Sequence, residues 1–301
     1  MKFIFGKIPS KKLKAFAPLR LCVRLMIVML ISLSISICVS SCKNDNPITP
    51  VQQDTATNFR YPLTENSNWF HTTKDLIFNI RPDSIRYHLS TDTTVENGFT
   101  ILKNDTVING ITYKILKTDH SSVVHAYTNL EFFRQTDSGL VTSSANFQGT
   151  GFGPFRASQS KFEYNGNKFS ELSSLILFAS GESMESKSVL TEYNCLRFPI
   201  IPGEEWKFRK VDEVNTQYKK YLNYETVSSP AGSYNCIKIR RENFIGSTLD
   251  TNTILYDYYS RIGMVKRDYL IKNISYLNSM GQVIGYFDIK DEVILNTYLI
   301  Q

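Results

Sequence analysis

The chain has 301 residues, of which 42% are hydrophobic and 13% aromatic, with a formal net charge of +6. The first 41 positions hold seven of its 34 basic residues and none of its 28 acids, so the remainder carries a formal charge of about −1. Nucleic-acid binding depends on clustered Lys and Arg that neutralise phosphates, and this balance argues against that class of partner. The remainder is long enough for one large β domain or two smaller ones.

Residues 1–41 have the layout of a secretory signal peptide, because a basic start precedes an apolar run from Leu25 to Val39. The run is shorter than the roughly 20 apolar residues that a transmembrane helix needs. It ends in Val39-Ser40-Ser41-Cys42, which resembles the lipobox of bacterial lipoproteins, where the cysteine receives diacylglycerol. We therefore expect cleavage before Cys42 and lipidation of Cys42. The alternative is an ordinary secretory signal with a cysteine nearby by chance.

Residues 42–59 are expected to form a flexible tether between the lipid anchor and the folded body. The segment is polar, contains Pro47 and Pro50, and has almost no apolar content. Such a segment buries too little surface to offset the entropy lost on ordering. Lys43, directly after the anchor, is compatible with sorting to the outer membrane.

From residue 60 onward, the dominant pattern is the two-residue alternation that is typical of β-strands. Ile111, Tyr113 and Ile115 alternate with polar residues, and so do Trp206 and Phe208. The 17 tyrosines and 19 phenylalanines suit half-buried sheet surfaces, whereas capped helical stripes are scarce. At one strand per 8–12 residues, we expect on the order of twenty strands. The predicted class is all-β, with antiparallel, curled sheets of half-barrel or sandwich type.

A sequence pattern that occurs twice predicts two related β modules. Arg60-Tyr61-Pro62-Leu63 followed by Trp69 recurs as Arg197-Phe198-Pro199-Ile200 followed by Trp206, and both landmarks shift by the same 137 residues. Proline favours an extended segment, the next aliphatic residue is expected to dock inward, and the tryptophan is expected to begin a strand and seed the core. The repeated residues are therefore expected to have a structural role.

Two further landmarks repeat in the same order. The first is a turn before an alternating strand, Asn109-Gly110 in one copy and Ala231-Gly232 in the other. The second is an aromatic pair before a glycine, Phe132-Phe133 with Gly139 and Tyr258-Tyr259 with Gly263. We therefore predict a first module over residues 60–196, which includes an inserted loop, and a second module over residues 197–301.

Cys195 and Cys236 are the cysteines left after processing and lipidation. An envelope compartment permits a disulfide between them. The alternative is that both are buried and act as small hydrophobic residues. Neither has a neighbouring histidine in the sequence, which argues against use as a nucleophile.

Signals for catalysis, metals and cofactors are weak. Asp119, His120 and His125 could supply three metal ligands if the chain folded back, but a surface loop explains them equally well.

Adjacent acids such as Glu204 and Glu205 would point to opposite faces of a strand. The spaced glycines from Gly149 to Gly153 lack the strand, helix and Lys-Ser or Lys-Thr of a phosphate loop. We predict no catalytic, metal or cofactor-binding residues.

The landmarks together resemble a broad group of exported lipoproteins from Bacteroidota. The residues that carry the resemblance are Tyr61-Pro62-Leu63 with Trp69, Asn109 to Ile115, and Pro230 through Arg267, with Pro230-Ala231-Gly232 and Gly263-Met264-Val265 as its markers. The resemblance implies a curled antiparallel sheet, similar to the half-barrels of lipoprotein carriers, and brings no catalytic residue with it. The usual opening has a glycine shortly before the tryptophan. The first copy has Asn66 and Ser67 there, so its turn is expected to differ.

These observations favour a lipid-anchored cell-envelope protein, at the outer membrane, whose β body is a non-catalytic binding or structural module. Its expected partners are the membrane, through the anchor, and an apolar, glycan or protein ligand, but not nucleic acid. A carrier of lipid or another apolar molecule in a concave sheet is the first alternative. A polysaccharide-active enzyme, which needs two carboxylates within about 10 Å in an open cleft, is the second.

Overall fold

The computed structural model describes residues 59–89, 94–121, 126–143, 161–170, 172–179, 192–210 and 214–301. Cys42, His125, the Gly149–Gly153 stretch and the expected signal and tether up to residue 58 lie outside these ranges. Two short helices are present in the described part, a 3-10 helix at Asp83–His88 and α1 at Leu172–Ala179. The strands are β1 Asn68–Arg81, β2 Thr94–Ile108, β3 Ile111–Ser121, β4 Ala126–Thr136, β5 Gly139–Ser143, β6 Phe162–Tyr164, β7 Asn167–Phe169, β8 Glu192–Arg197, β9 Glu205–Lys210, β10 Asn215–Ser229, β11 Gly232–Ile245, β12 Thr248–Leu249, β13 Thr253–Ser260, β14 Gly263–Leu277 and β15 Val283–Leu299.

All these strands belong to one antiparallel sheet, whose main path runs β8-β5-β4-β3-β2-β1-β15-β14-β13-β11-β10-β9. The sheet curls until it is nearly closed into a barrel. The prediction of an all-β, antiparallel, curled architecture is confirmed. No helix within the described ranges combines the length and the apolar content needed to cross a membrane.

The two edge strands, β8 and β9, come together at a seam. Side chains from β9 and β10 donate hydrogen bonds to backbone carbonyls of β8 across this seam. Trp206 Nε1 donates to Asn194 O at 2.8 Å, and Tyr221 OH donates to Arg197 O at 2.8 Å. Unpaired backbone N–H and C=O groups at the edge of a sheet can pair with strands of other chains. These side chains satisfy carbonyl groups of the edge strand, in the place of a neighbouring strand.

Two apolar clusters fill the concave face at different levels. The tryptophan cluster contains both tryptophans, which are buried, together with residues from most strands. The Phe287 cluster is formed by β13, β14 and β15 with the small β6-β7 hairpin, α1 and the 3-10 helix. A contiguous apolar core is the main source of stability for such a fold. Both tryptophans lie in the core as expected, with exposures of 1% and 3%.

The repeated landmarks occupy equivalent places in two five-stranded meanders, β1-β2-β3-β4-β5 and β9-β10-β11-β13-β14. The turn before each tryptophan makes the same backbone bonds. Asn66 N donates to Leu102 O at 3.0 Å, and Gly203 N donates to Tyr221 O at 2.8 Å. Both turns place a left-handed residue at this point, Asn66 with φ 65° and Gly203 with φ 91°. The expectation of a different turn in the first copy is therefore wrong, because asparagine tolerates this conformation.

Both meanders lie in the same continuous sheet, and β15 joins them by pairing with β1 on one side and β14 on the other. The turn predicted at Asn109-Gly110 is confirmed, because it joins β2 to β3 and both residues have positive φ, 50° and 78°, as a type I′ turn requires. The origin of the two meanders as related modules, with limits at residues 196 and 197, stays a prediction.

No disulfide joins Cys195 and Cys236 in the structure. Cys195 belongs to the tryptophan cluster on the concave face. Cys236 lies in a small separate cluster with Val227, Tyr258 and Val265. Its neighbour Ile237 belongs to the tryptophan cluster, and adjacent strand residues point to opposite faces. The two thiols therefore lie on opposite faces of the sheet, and each packs among apolar side chains.

Candidate functional site

Between the two apolar clusters, the concave face carries a row of ionisable side chains that we call the polar band. The order of the inward-facing residues along single strands shows where the polar band lies. On β13, Asp257 lies between Tyr259 of the tryptophan cluster and Leu255 of the Phe287 cluster. On β15, Asp291 lies between Leu295 and Ile289 in the same way. The members of the band are His71, Asp75, Glu96, His120, Lys219, Arg241, Asp257, Arg267 and Asp291.

The basic half of the band surrounds one buried acid. Arg241 Nε lies 2.6 Å from Asp257 Oδ2, and Arg267 Nε lies 2.7 Å from Asp257 Oδ1. Lys219 is directly opposite Arg241 in the β10-β11 ladder, and its side chain is fully buried. Three cations therefore face one carboxylate, which leaves a local excess of positive charge.

The electrostatics of this half follow from the unequal count of charges. Burial alone would raise the pKa of Asp257, but Arg241 and Arg267, followed by Lys219, hold it well below its usual range. Burial lowers the pKa of Lys219 to about 8. The aromatic face of Phe208 covers the Lys219 ammonium, with Nζ 4.0 Å from the ring centroid. Such a cation–π contact offsets part of the cost of desolvation.

The acidic half lies on β1, β2, β3 and β15. His120 Nδ1 is 2.9 Å from Glu96 Oε1. Asp75 is directly opposite Asp291 in the β1-β15 ladder. Burial, followed by the charge of Glu96, raises the pKa of Asp75 to about 6. Asp75 Oδ1 is buried and has no hydrogen-bond partner among the residues that the structure describes.

His71 connects the two halves. Its Nε2 lies 3.0 Å from Met264 O, and the ring is close enough to Arg267 and His120 to be influenced by both charges. Burial lowers the pKa of His71 to about 4; the hydrogen bond to Met264 O opposes this shift, and the charges of Arg267 and His120 add to it. At neutral pH the ring is therefore neutral, and Nε2 carries the proton that is donated to the carbonyl.

The middle of the band remains in contact with solvent. The side chains of Glu96, His120 and Arg267 are 24%, 22% and 23% exposed, whereas Asp257 is fully buried. Ionisable groups with shifted pKa values in a concave site are candidates for function, because burying charge is costly for stability alone. The band can accept hydrogen bonds through its acids and donate them through His120 and Arg267.

The residues that the sequence singled out for chemistry do not converge. Asp119 and His120 point to opposite faces of β3, because they are adjacent on a strand. Asp119 instead binds Lys117 and Thr128 on its own face. No group of three His, Cys, Asp or Glu side chains suited to a metal ion occurs in the described part of the chain.

The paired acids also separate. Glu204 contacts Arg197 at 3.3 Å, and Glu205 contacts Lys220 at 3.7 Å, so each neutralises a different cation. A second pair of nearby acids in the sequence, Glu182 and Glu185, lies outside the described ranges. Sequence reasoning missed the acids of the polar band, since they are spread over β1, β2, β13 and β15. The available signal was a charged residue at an inward position of an otherwise alternating strand, such as Asp257 between Leu255 and Tyr259.

A second concavity, of about 350 Å³, lies beside β4, β5 and β8. Its lining includes Arg134 and Glu192, which form a two-pronged ion pair with distances of 2.6 and 2.7 Å. Glu192 also accepts a hydrogen bond from Tyr113 OH. This paired geometry ties β3 and β4 to the edge strand β8 and is satisfied without a ligand.

No protein-family model matches the chain, and no curated protein matches it. A solved structure of a proposed exported protein with a YmcC-like fold from Bacteroides fragilis is 11% identical, with a TM-score of 0.39, over 80% of this chain and 99% of that one. A proposed lipoprotein from Parabacteroides distasonis is 10% identical, with a TM-score of 0.36, over 82% and 100%. A mutant porin from Rh. blastica is 11% identical, with a TM-score of 0.22, over 76% and 98%. Similarity at this level carries no argument about function.

Proposed function

We propose that the protein is a lipid-anchored cell-envelope protein, attached through Cys42 at the outer membrane, whose β body is a non-catalytic binding module. We further propose that the polar band is its binding surface and that the ligand is a polar, hydroxyl-bearing molecule of the glycan class. The observation that carries the second proposal is the buried Asp75 Oδ1, which accepts no hydrogen bond from the residues that the structure describes. An acceptor left in this state costs free energy unless a ligand or water supplies the donor.

An apolar ligand fits the described concave face less well. A carrier of lipid needs a continuous apolar groove, and the apolar side chains here pack against one another in two clusters. The space between these clusters is lined by charged groups, which an apolar chain would desolvate without compensation. The polar band therefore favours a ligand that can donate hydrogen bonds to Asp75 and Glu96.

The anchor is tested in cells by labelling with radioactive palmitate and by membrane fractionation. Wild-type protein is expected to take up label and to fractionate with outer membranes. The Cys42→Ala variant is expected to lose both properties, because the thiol that carries the lipid is gone. A Cys42→Ala protein that still incorporates label would contradict the anchor.

The binding surface is tested with the full-length lipoprotein in detergent micelles, on an array of bacterial polysaccharides and oligosaccharides. Asp75→Asn and Glu96→Gln are expected to weaken glycan binding by about tenfold or more, since a lost charged hydrogen bond is worth roughly 1.5–3 kcal/mol. Glu205→Gln, an isosteric change near the seam, is the matched control and is expected to leave binding unchanged. Absence of glycan binding together with saturable uptake of a fluorescent fatty acid would favour the carrier alternative.

The opposed pair Asp75 and Asp291 favours a second candidate, a polysaccharide-active enzyme. Directly opposed residues of an antiparallel pair have Cβ atoms about 4.5–5.5 Å apart, so the two carboxyl groups fall within the spacing that glycosidases use. A carboxyl pKa of about 6 suits a general acid. Release of reducing ends from a bound polysaccharide, abolished in Asp291→Asn, would establish this activity. Binding without any release supports the non-catalytic module.

A further inference from the structure

A buried contact that the fold and the polar band do not explain joins an amine and a thiol across the seam. Lys219 Nζ lies 3.1 Å from Cys195 O and 3.5 Å from Cys195 Sγ. Lys219 belongs to β10 and Cys195 to β8, two strands that do not pair with each other. Both residues are buried, with exposures of 0% and 7%.

The surroundings hold the two groups together and leave the amine without a carboxylate in direct contact. Within the described part of the chain, both hydrogen-bond acceptors of Lys219 Nζ belong to Cys195. The two seam bonds, from Trp206 to Asn194 O and from Tyr221 to Arg197 O, flank Cys195 along β8. They fix the edge strand on both sides of the thiol, so the short distance between Nζ and Sγ is maintained by the fold.

The chemical state of the amine suits nucleophilic attack. Burial lowers the pKa of Lys219 to about 8, so an appreciable fraction of the side chain is neutral near neutral pH. A neutral amine has a lone pair that can form a bond to an electrophilic sulfur. A thiol becomes electrophilic when it is oxidised to a sulfenic acid, which condenses with nearby nitrogen or sulfur nucleophiles.

We propose that Lys219 and Cys195 form a covalent, reversible sulfenamide cross-link when the protein meets a peroxide. In the first step the Cys195 thiolate attacks hydrogen peroxide, an S–O bond forms, the O–O bond breaks, and one water leaves after proton transfer. In the second step the Lys219 amine attacks the sulfur, the S–N bond forms, the S–O bond breaks, and a second water leaves. Sulfur is oxidised by two electrons and the peroxide is reduced by two. The protein loses two hydrogen atoms in total.

The cross-link would change the edge of the sheet. In the reduced protein, side-chain hydrogen bonds from β9 and β10 to β8 hold the described seam. A covalent bond between residues 195 and 219 closes this seam and removes conformational freedom from the unfolded chain. Oxidation would therefore lock the curled sheet in its nearly closed form. This inference concerns the seam and does not depend on the ligand of the polar band.

The test is peptide mass spectrometry of the full-length protein after treatment with excess hydrogen peroxide, with and without later addition of a thiol reductant. The expected product is a tryptic species in which the peptide containing Cys195 is joined to the one containing Lys219. It should have lost two hydrogens, lack cleavage after Lys219, and return to separate peptides on reduction. Thermal unfolding of the treated protein should shift upward by several degrees.

Matched variants separate this product from other oxidation. Cys236→Ser and Lys220→Arg are expected to keep the cross-link, because Cys236 lies in a separate cluster and Lys220 contacts Glu205. Cys195→Ser and Lys219→Arg are expected to abolish it, since arginine is not nucleophilic. Three results in the wild-type protein would overturn the proposal: sulfinic acid at Cys195 without a link, a disulfide to Cys236, or a linked species that retains an oxygen atom. None of these readings depends on how well a variant folds.

Discussion

The two meanders share the same turns and apolar packing, which we call the frame. They differ in the side chains that they place on the concave face. Thr100 and Thr118 are opposite each other in the first meander, and their hydroxyl groups are 2.9 Å apart. The equivalent pair in the second meander is Lys219 and Arg241. The equivalence follows from the next pairs along the same strands, Leu102 with Leu116 and Tyr221 with Ile239, which are buried in one cluster. A neutral pair in the first meander corresponds to two cations in the second.

The next inward position repeats the contrast. Glu131, paired with Leu116 in the first meander, is exposed. Asp257, paired with Ile239 in the second, is fully buried between two arginines. An acid occupies both places, but its surroundings differ. The frame is kept where backbone turns and apolar packing require it, and the information about function lies in the inward polar positions that differ.

The largest expected effect comes from removing the buried acid of the second meander. Asp257→Asn leaves Arg241 and Arg267 without their shared anion in a buried site, and we expect a loss of about 3–5 kcal/mol in the free energy of unfolding. Urea denaturation measures it. Glu131→Gln, at the equivalent exposed position, is the control and should cost less than about 1 kcal/mol. Equal losses at the two positions would contradict the contrast between the meanders.

The second prediction tests the shared frame. Trp69→Phe and Trp206→Phe each remove an indole N–H that donates to a carbonyl, of Ile262 and Asn194 respectively, and leave a small cavity. We expect each to cost about 2 kcal/mol, because the carbonyl loses its donor and the ring loses volume. The two losses should agree within about 1 kcal/mol in urea denaturation. A much smaller loss at one tryptophan would mean that the landmarks have different roles.

The frame was the part that the sequence could predict. Two-residue alternation and turn residues such as Asn109-Gly110 are local signals, and they correctly indicated antiparallel strands. The equal spacing from Arg60 to Trp69 and from Arg197 to Trp206 marked the two places where the structure has similar turns. The prediction failed at Asn66 because the backbone conformation, rather than the residue type, is what the two turns share.

The candidate site could not be predicted because it depends on register between distant strands. Asp75 and Asp291 are far apart in sequence, and only the β1-β15 ladder places them side by side. Periodicity gives the face of each strand but not its partner or its level in the sheet. The contact between Lys219 and Cys195 is even harder to predict from the sequence, because β10 and β8 are not paired by backbone hydrogen bonds.

The third prediction concerns pH and the acidic half of the band. The pKa of Asp75 is about 6 in the folded protein and near 3.8 in the unfolded chain. Its contribution to stability is therefore fully present below pH 3.8 and is lost as the pH rises through 6. We expect Asp75→Asn to be more stable than wild type at pH 7 by about 1–2 kcal/mol, after allowance for partial solvent contact, and to match it near pH 3.5.

The measurement is urea denaturation of both proteins between pH 3.5 and 7. His71, with a folded pKa of about 4, acts in the opposite direction, because its stability is present above pH 6.5 and lost as the pH falls through 4. Comparison at each pH cancels this contribution, since both proteins contain His71. A difference that stays constant across the range would show that Asp75 does not titrate in this window.

The smallest expected effect separates residue type from backbone conformation at the two turns. Nothing lies within 4 Å of a Cβ added at Gly203, so the cost of Gly203→Ala comes from its left-handed conformation and should be about 1 kcal/mol. Gly203→Asn reproduces the turn of the first meander and should cost a few tenths less, because asparagine tolerates this region. Asn66→Gly should change stability by under about 0.5 kcal/mol, since relief of strain is offset by the greater freedom of glycine in the unfolded chain. Melting temperatures resolve this order. If Gly203→Asn proved as costly as Gly203→Ala, the two turns would be alike in their hydrogen bonds but not in what stabilises them.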